Sequence, residues 1–232
     1  GTAPDLFCFS TEWLSEVGYE DNPVLLDLYS VTDTLDLSTL SESSAKAGEV
    51  NGKLLGIPTG ISGWSWYYSL NAMNEYCEKT GEPLPPGVDG SWTIDEFMEF
   101  GAKFHDVMGD DIFLFSPSRD AVSHLMFYIL SEYAGKFYID ANCNIQFTEE
   151  NLRDTLTLMQ KMTEEGILPE GTAQVESFAG NTITTTHQTN GTWVGTFDWN
   201  SNVVAFSNNT GSEVGIFAYP NIGGEEFNGL FV

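Results

Sequence analysis

Three cysteines and three histidines are the residues best suited to metal or nucleophilic chemistry, and their spacing removes most of it. Cys8, Cys77 and Cys143 stand far apart, so no CxxC redox or metal pair forms, and an odd, sparse set cannot build a disulfide framework. They read as small buried hydrophobes with at most one disulfide among them. His105, His124 and His187 are equally scattered, and the chain holds neither an HExxH helix nor a serine in a GxSxG turn. No cofactor and no metal is expected. What remains is carboxylate and aromatic chemistry. Thirty-four acidic residues guarantee carboxylate pairs by chance, so they separate sugar cleavage from sugar binding poorly. The six Trp and nine Tyr say more, because several stand beside Gly, Ser or Thr rather than inside apolar runs. An aromatic face in polar surroundings packs well on the C–H-rich face of a sugar ring. For any one Trp, ordinary core packing is the competing explanation.

The charge balance narrows the partners. Eight basic against thirty-four acidic residues give a net charge of -26 over 232 residues. Such a surface repels phosphate backbones and anionic headgroups, which argues against nucleic acid and against direct adsorption to membranes. Solubility accounts for the acidity; recognition of a cation is the minority alternative. No run approaches the eighteen apolar residues of a membrane span, and no signal peptide opens the sequence. The apolar end at Gly229-Leu230-Phe231-Val232 and the start at Gly1-Thr2-Ala3-Pro4 both look cut.

The elements that must position these side chains follow from pattern. Leu6-Phe7-Cys8-Phe9 reads as a buried strand, with a short helix from Ser10 to Val17 behind it. Val24 to Leu28 is apolar and gives way to a polar stretch from Ser38 to Gly48. Asn51-Gly52 between Val50 and Leu54-Leu55 predicts a hairpin leading into Gly56-Ile57-Pro58. Trp64 to Tyr68 suits a strand or an extended crossing segment. A helix from about Asn71 to Lys79 should close at Gly81. Thr93 and Glu96 form a capping box for the next helix, whose Phe97, Phe100 and Phe104 share one face. Ile112 to Phe115 is a short buried strand, followed by a polar loop through Arg119 and a helix from about Ala121 to Tyr133. Thr148 opens another helix, with Leu152, Leu156 and Met159 on its buried stripe and Gly166 as its C-cap. A Gly/Thr-rich stretch from Phe178 leads to Trp193, and Val214 to Ala218 is a last strand stopped by Pro220. Strands separated by helices point to α/β layers with a mostly parallel sheet.

In this order the signals resemble a known family. Ala3-Pro4-Asp5-Leu6-Phe7 is similar to the "(A/G)PD-hydrophobic" strand of the extracellular sugar-binding proteins of ABC importers, the maltose-binding type. Asn51-Gly52-Lys53-Leu54-Leu55-Gly56-Ile57-Pro58 resembles that family's hairpin. Tyr67-Tyr68-Ser69-Leu70-Asn71 resembles its "YYNK" segment, with Ser69 in place of Asn. Pro85-Pro86 with Trp92-Thr93-Ile94-Asp95-Glu96-Phe97 is similar to "PP-x-TW-x-E-hydrophobic", with Thr and Trp exchanged. Phe178 with Asn190-Gly191-Thr192-Trp193 resembles the "F…G…A-M-x-x-x-G-x-W" segment, and Val214-Gly215-Ile216 through Pro220 to Gly223-Gly224 its ending. Each motif is weak alone; six in order across the chain are not.

The resemblance implies an α/β, two-lobed periplasmic-binding-protein-like (type II) fold, incomplete at both ends. Residues 1–64 would form part of lobe one, 65–217 most of lobe two, and 218–232 the return to lobe one. The chain would cross near 62–66 and again near 217–220. With upstream strands missing, the strand at Leu6-Phe7-Cys8 would carry an unpaired edge, a risk for solubility or swapping. The implied role is capture of a sugar or oligosaccharide between lobes, as a monomer when complete, and its delivery to the transmembrane subunits of an ABC permease. The implied place is extracytoplasmic, on a cell-surface lipoprotein or in a periplasm. The same resemblance points to Phe9, Glu12 and Trp13 in the loop after the first strand, Trp64 at the crossing, Arg119 opposite, and Trp193 as the stacking platform. Aromatics would supply area, and Glu12 and Arg119 would fix hydroxyls. Phe9 and Trp193 also fit a core, Glu12 a helix N-terminus, and Arg119 a surface ion pair. A binding protein for a polyamine or peptide, a glycoside hydrolase and a lectin-like adhesion module remain as rivals.

Overall fold

A computed structural model describes residues 5–6, 8, 25–34, 36, 38, 46–59, 63–115, 119–139, 144–170 and 185–222, with backbone only at 32–34 and 119–122. The chain divides into two compact units, residues 1–62 with 231–232, and residues 63–230. The expected helix over 10–17, Phe9, Glu12, Trp13, Cys143 and the segment from Gly223 onward lie outside the described residues.

In the first unit, strands β1 (Glu49–Val50) and β2 (Lys53–Leu54) pair antiparallel, with Glu49 opposite Leu54 and Val50 opposite Lys53. Asn51 and Gly52 turn the chain at φ 51° and 75°, the left-handed pair that a two-residue hairpin requires. A 3-10 helix, Leu28–Thr34, precedes them, and Asp27 Oδ1 accepts from Leu54 N at 3.2 Å. The strand expected at Leu6-Phe7-Cys8-Phe9 is not seen in what is described of it. Leu6 lies in a bend with 91% of its surface exposed, and Cys8 is exposed rather than buried. Four apolar residues in a row carry no period that tells a strand from a loop.

The second unit is organised on β3 (Trp64–Ser69), the centre of a three-stranded sheet of order β5-β3-β6. β5 is Gly195–Trp199 and β6 is Val214–Phe217. Both pair antiparallel to β3, with Trp66 opposite Phe197 on one side and Phe217 on the other. The mostly parallel sheet read from the strand–helix alternation is therefore corrected. β5 and β6 do run parallel, joined through helix α5 (Val203–Thr210), but β3 lies between them. The crossover reading assumed that consecutive parallel strands become neighbours. Here a strand from far earlier in the chain (Trp199 against Trp64 is 135 apart, Gly195 against Tyr68 is 127) has taken the middle place, a separation that no local pattern encodes. A shorter parallel pair joins β4 (Trp92–Thr93) to β7 (Pro220–Asn221), and Phe113 makes a single parallel bridge to Trp193.

Helix starts follow the caps. Ser69 accepts from Ala72 N at 3.3 Å to open α1 (Leu70–Thr80), which ends on Gly81 at φ 71°. Thr93 and Glu96 cap α2 (Ile94–Met108) reciprocally, at 3.2 Å and 2.7 Å. α3 is Arg119–Ala134 and α4 is Glu149–Glu164, the latter capped by Thr148 with Asn151. Arg119 thus begins a helix rather than sitting in the loop before it. On α4 the buried positions are Thr155, Leu158 and Met162, while Leu156 is half exposed. The expected stripe was set one residue off because Thr155 counts as polar. Its hydroxyl donates to Asn151 O at 2.8 Å, so the side chain can be buried with its polar atom satisfied.

Alternation along β3 sends Trp64, Trp66 and Tyr68 to one face and Ser65, Tyr67 and Ser69 to the other. Trp66 meets Phe97, Phe115 and Phe197 edge-on at 5.0, 4.8 and 5.2 Å between ring centres, with Tyr128 at 6.2 Å. Phe97 and Phe104 are fully buried and Phe100 packs against them, as the helical spacing predicts. On the opposite face Tyr67 meets Phe206 of α5 at 5.8 Å. Gly195 is needed for closeness: a Cβ there would lie 2.1 Å from Leu114 O and 2.8 Å from Tyr67 O.

Candidate functional site

The start of β3 and the end of β5 meet where Trp64 pairs with Trp199, and the polar residues around that pair make the candidate site. Trp64 is only 3% exposed. Its indole stacks on His124 of α3 at 4.1 Å and 21°, and the Trp199 ring lies 4.6 Å away. His124 covers one face of the Trp64 indole. Its Nε1 is buried with no hydrogen-bond partner among the described residues. A buried indole N–H normally finds an acceptor, which makes this end of the sheet suited to receiving one. Trp199 is partly buried and packs against the core.

Asp198 pairs with Ser65, so its side chain leaves the sheet on the face of Ser65 and Tyr67, opposite to these rings, and Asn202 joins it there. Asp198 accepts from Trp199 N at 2.7 Å and from Asn202 Nδ2 at 3.1 Å on each oxygen. Burial raises the Asp198 carboxyl above its ordinary range, against the hydrogen bonds from Trp199 and Asn202 and the attraction of His124. Tyr67 donates its hydroxyl to Asp198 O at 3.0 Å, fixing the strand end from that same face. The result is a strand end with aromatic rings on one face and a carboxylate–amide pair on the other, ring-packing and hydrogen-bonding groups at one edge of the sheet.

Trp193 does not belong to this group. It precedes β5 by two residues and Trp199 ends it, so the six-residue interval places them about 20 Å apart along the strand. Trp193 is 6% exposed, and His187 stacks flat on it at 4.3 Å and 12°. Its neighbourhood is held by Phe113 N donating to Thr192 O at 2.8 Å and by the His187–Thr192 side-chain contact at 2.7 Å. Trp193 is thus packed within the second unit. Of the other expected site residues, Arg119 starts the helix that carries His124, five residues earlier. His124, Asp198, Trp199 and Asn202 were not among the expected residues. The signal that could have found Trp199 is the one applied to Trp193: Trp199 stands between Asp198 and Asn200, more polar company than Thr192 and Val194.

Residues 218–222, expected to return to lobe one, are fastened within the second unit. Trp92 Nε1 donates to Ala218 O and Ala218 N to Gly87 O, both at 2.7 Å. Tyr128 donates to Pro220 O at 2.7 Å, and Tyr219 donates its hydroxyl to Trp64 O, tying this segment to the site. Glu132 of α3 is 4% exposed and accepts from Ile222 N; burial pushes its carboxyl up to about 7. A carboxyl with a raised folded-state pKa stabilises the fold below the ordinary carboxylate range and loses that contribution as pH rises through about 7. Glu132→Gln keeps an acceptor for Ile222 without the charge. It is expected to melt higher than the wild type at pH 8 and alike at pH 4, in paired thermal melts. Equal melting at both pH values would show that Glu132 ionises freely in the fold.

Elsewhere, a depression of about 550 Å³ beside α2 and α4 is lined by His105, Phe113 and four carboxylates. It lies toward the Trp193 end and offers little aromatic area. Among the described residues no group of His, Cys, Asp or Glu is placed to hold a metal, and no helix is long and apolar enough to cross a membrane. Cys8 and Cys77 are free thiols.

No curated protein matches the chain significantly. Solved structures do. A periplasmic oligogalacturonide-binding protein from Yersinia enterocolitica, bound to saturated digalacturonic acid, superposes with a TM-score of 0.69 at 22% identity over 92% of this chain and 51% of its own. Maltose-bound MalE3 of T. maritima gives 0.69 at 19% identity over 93% and 52%. UgpB of Mycobacterium tuberculosis, in complex with glycerophosphocholine, gives 0.62 at 17% over 85% and 47%. The chain therefore spans about half the length of the structures it matches, and it has the α/β fold of periplasmic solute-binding proteins. A family model described as bacterial extracellular solute-binding protein matches residues 1–231, and the chain belongs to that family.

Proposed function

We propose that this protein is the extracytoplasmic substrate-binding component of an ABC importer, and that it captures a sugar or oligosaccharide at the Trp64–Trp199 end of the sheet. Membership of the solute-binding family supports the carrier role. The observation that carries the sugar reading is the partly buried Trp199 at the end of β5, with the Asp198–Asn202 pair at the same strand end. A flat apolar face next to hydrogen-bonding groups matches a pyranose, which has one C–H-rich face and a rim of hydroxyls. Two of the similar structures hold oligogalacturonide or maltose, which agrees with this chemistry. In this proposal the units 1–62 and 63–230 are parts of the two lobes. Phe9, Glu12, Trp13 and Arg119 remain further candidate contacts, on the family resemblance alone. Delivery of the bound sugar to permease transmembrane subunits completes the cycle.

Glycerophosphocholine in the UgpB structure supports a second reading, a non-sugar solute. Thermal melts of the full-length protein against carbohydrates, polyamines and glycerophosphodiesters separate the two. Ligand at a hundred times Kd stabilises the native state by about 2.7 kcal/mol, enough to raise the melting temperature visibly. A rise with a carbohydrate left uncleaved is the expected result. A rise only with a non-sugar solute would overturn the sugar reading, and cleavage products would overturn the carrier role.

A further inference from the structure

We propose that Asn51 is a site of spontaneous modification, where the Asn51–Gly52 turn rearranges to aspartyl and isoaspartyl forms, and that the fold holds the same dipeptide at Asn190–Gly191 back. Asn-Gly occurs at 51–52, 190–191 and 228–229, the last outside the described residues. The reaction needs a backbone nitrogen that can reach the side-chain amide before it, and glycine, lacking a Cβ, leaves that approach open. It also needs that nitrogen free to give up its proton, and here the two described sites differ.

In the β1–β2 hairpin, the bond that closes a two-residue turn joins the flanking pair, Val50 and Lys53. The Gly52 N–H stands outside that bond. Asn51, Gly52 and Lys53 are all exposed, so water and base reach the reacting atoms. Asn190 and Gly191 are exposed too, but both nitrogens are committed at a helix end. Asn190 N donates to Thr186 O at 2.9 Å and Gly191 N to Gln188 O at 3.2 Å. Thr192 N, the next along the chain, donates to His187 O at 3.0 Å. Freeing Gly191 therefore means unwinding a turn whose Gln188 side chain is buried.

The Gly52 nitrogen, its proton passed to solvent base, attacks Cγ of Asn51. The N–Cγ bond forms, the Cγ–Nδ2 bond breaks, and Nδ2 leaves with a solvent proton as ammonia. Water then opens the cyclic imide. Cleavage of the N–Cγ bond gives an aspartate with the main chain restored. Cleavage between the nitrogen and the backbone carbonyl carbon of residue 51 gives isoaspartate, with the chain running through Cγ. An aspartate suits this turn as asparagine does. Isoaspartate lengthens the main chain inside a turn with room for two residues only. It should break the pairing of Glu49 with Leu54, and with it the base of the hairpin, where Leu55 N and Gly56 N both donate to Gly48 O at 2.9 Å and 3.3 Å.

The test incubates the full-length protein at mildly alkaline pH, folded and in denaturant, and follows each site by peptide mapping that separates asparagine, aspartate and isoaspartate. In the folded protein Asn51 is expected to convert about tenfold faster than Asn190, the factor for one backbone hydrogen bond that must first be released. In denaturant the two rates should converge, because the bonds that separate them are gone. Equal rates in the folded protein, or an Asn51 that stays intact there while the denatured chain converts, would overturn the proposal. Trypsin reads the consequence at Lys53: the aged protein should be cut there faster than the fresh one, and a fresh Asn51→Asp variant should resist like the wild type. Cutting of Asn51→Asp as fast as the aged protein would overturn the isoaspartyl account of the broken hairpin.

Discussion

Trp66→Ala is expected to cost about 3–5 kcal/mol of stability, the range for removing a fully buried large aromatic. Trp66 occupies the middle of the central strand with rings from α2, α3, β5 and the 113–115 segment against it. Its removal would open a cavity bordered by side chains that are themselves fully buried, so the surroundings have little room to collapse. The Trp66 Nε1 is also buried without a partner among the described residues, a cost of about 1–3 kcal/mol that the packing must already exceed. For a unit of this size the melting temperature should fall by roughly 6–20 °C, read by calorimetry. Trp66→Phe, which keeps a ring and removes the orphan N–H, should lose much less. A Trp66→Ala protein melting within a degree or two of the wild type would mean that the hub is elsewhere.

The parts of this fold that were legible in the sequence are those whose cause is local. Asn51-Gly52 must turn because both residues tolerate positive φ, and Thr93 with Glu96 must start a helix because their side chains satisfy each other's backbone. The Phe97, Phe100 and Phe104 stripe shows in the same way, since three rings at helical spacing have one side to bury. What stayed hidden depends on distant partners. Nothing near Gly195 or Val214 says that Trp64–Ser69 lies between them, so the antiparallel pairing contradicts the pattern reading. The four-residue run at Leu6 has no period to interpret, and the Thr155 stripe was missed because a hydroxyl bonded to its own helix is invisible to a polar–apolar alphabet. The site suffers from the same limit. His124 reaches Trp64 only through tertiary packing, and the more polar neighbours of Trp199 do not by themselves say that it and Trp193 lie about a strand's length apart.

That distance makes the two tryptophans separable by experiment. Trp199→Ala should remove the stacking platform and weaken sugar binding by about 1–3 kcal/mol, roughly tenfold to over a hundredfold in Kd. Because Trp199 is only half-buried, its loss should disturb stability less than that of a core ring. Trp193→Ala should do the reverse. Its ring is covered by His187 and sits beside the Phe113 bridge, so truncation should cost about 3–5 kcal/mol of stability. Affinity in the folded fraction should hardly change, since about 20 Å of strand separates it from Trp199. Calorimetric titration with the best-binding sugar, alongside melts of both variants, gives the two readouts together. Affinity loss confined to Trp193→Ala would move the site to the other end of β5, where His105, Phe113 and the carboxylates around Gly166 would become the lining. Loss confined to Trp199→Ala, with Trp193→Ala showing only a lowered melt, is the outcome the sheet register requires.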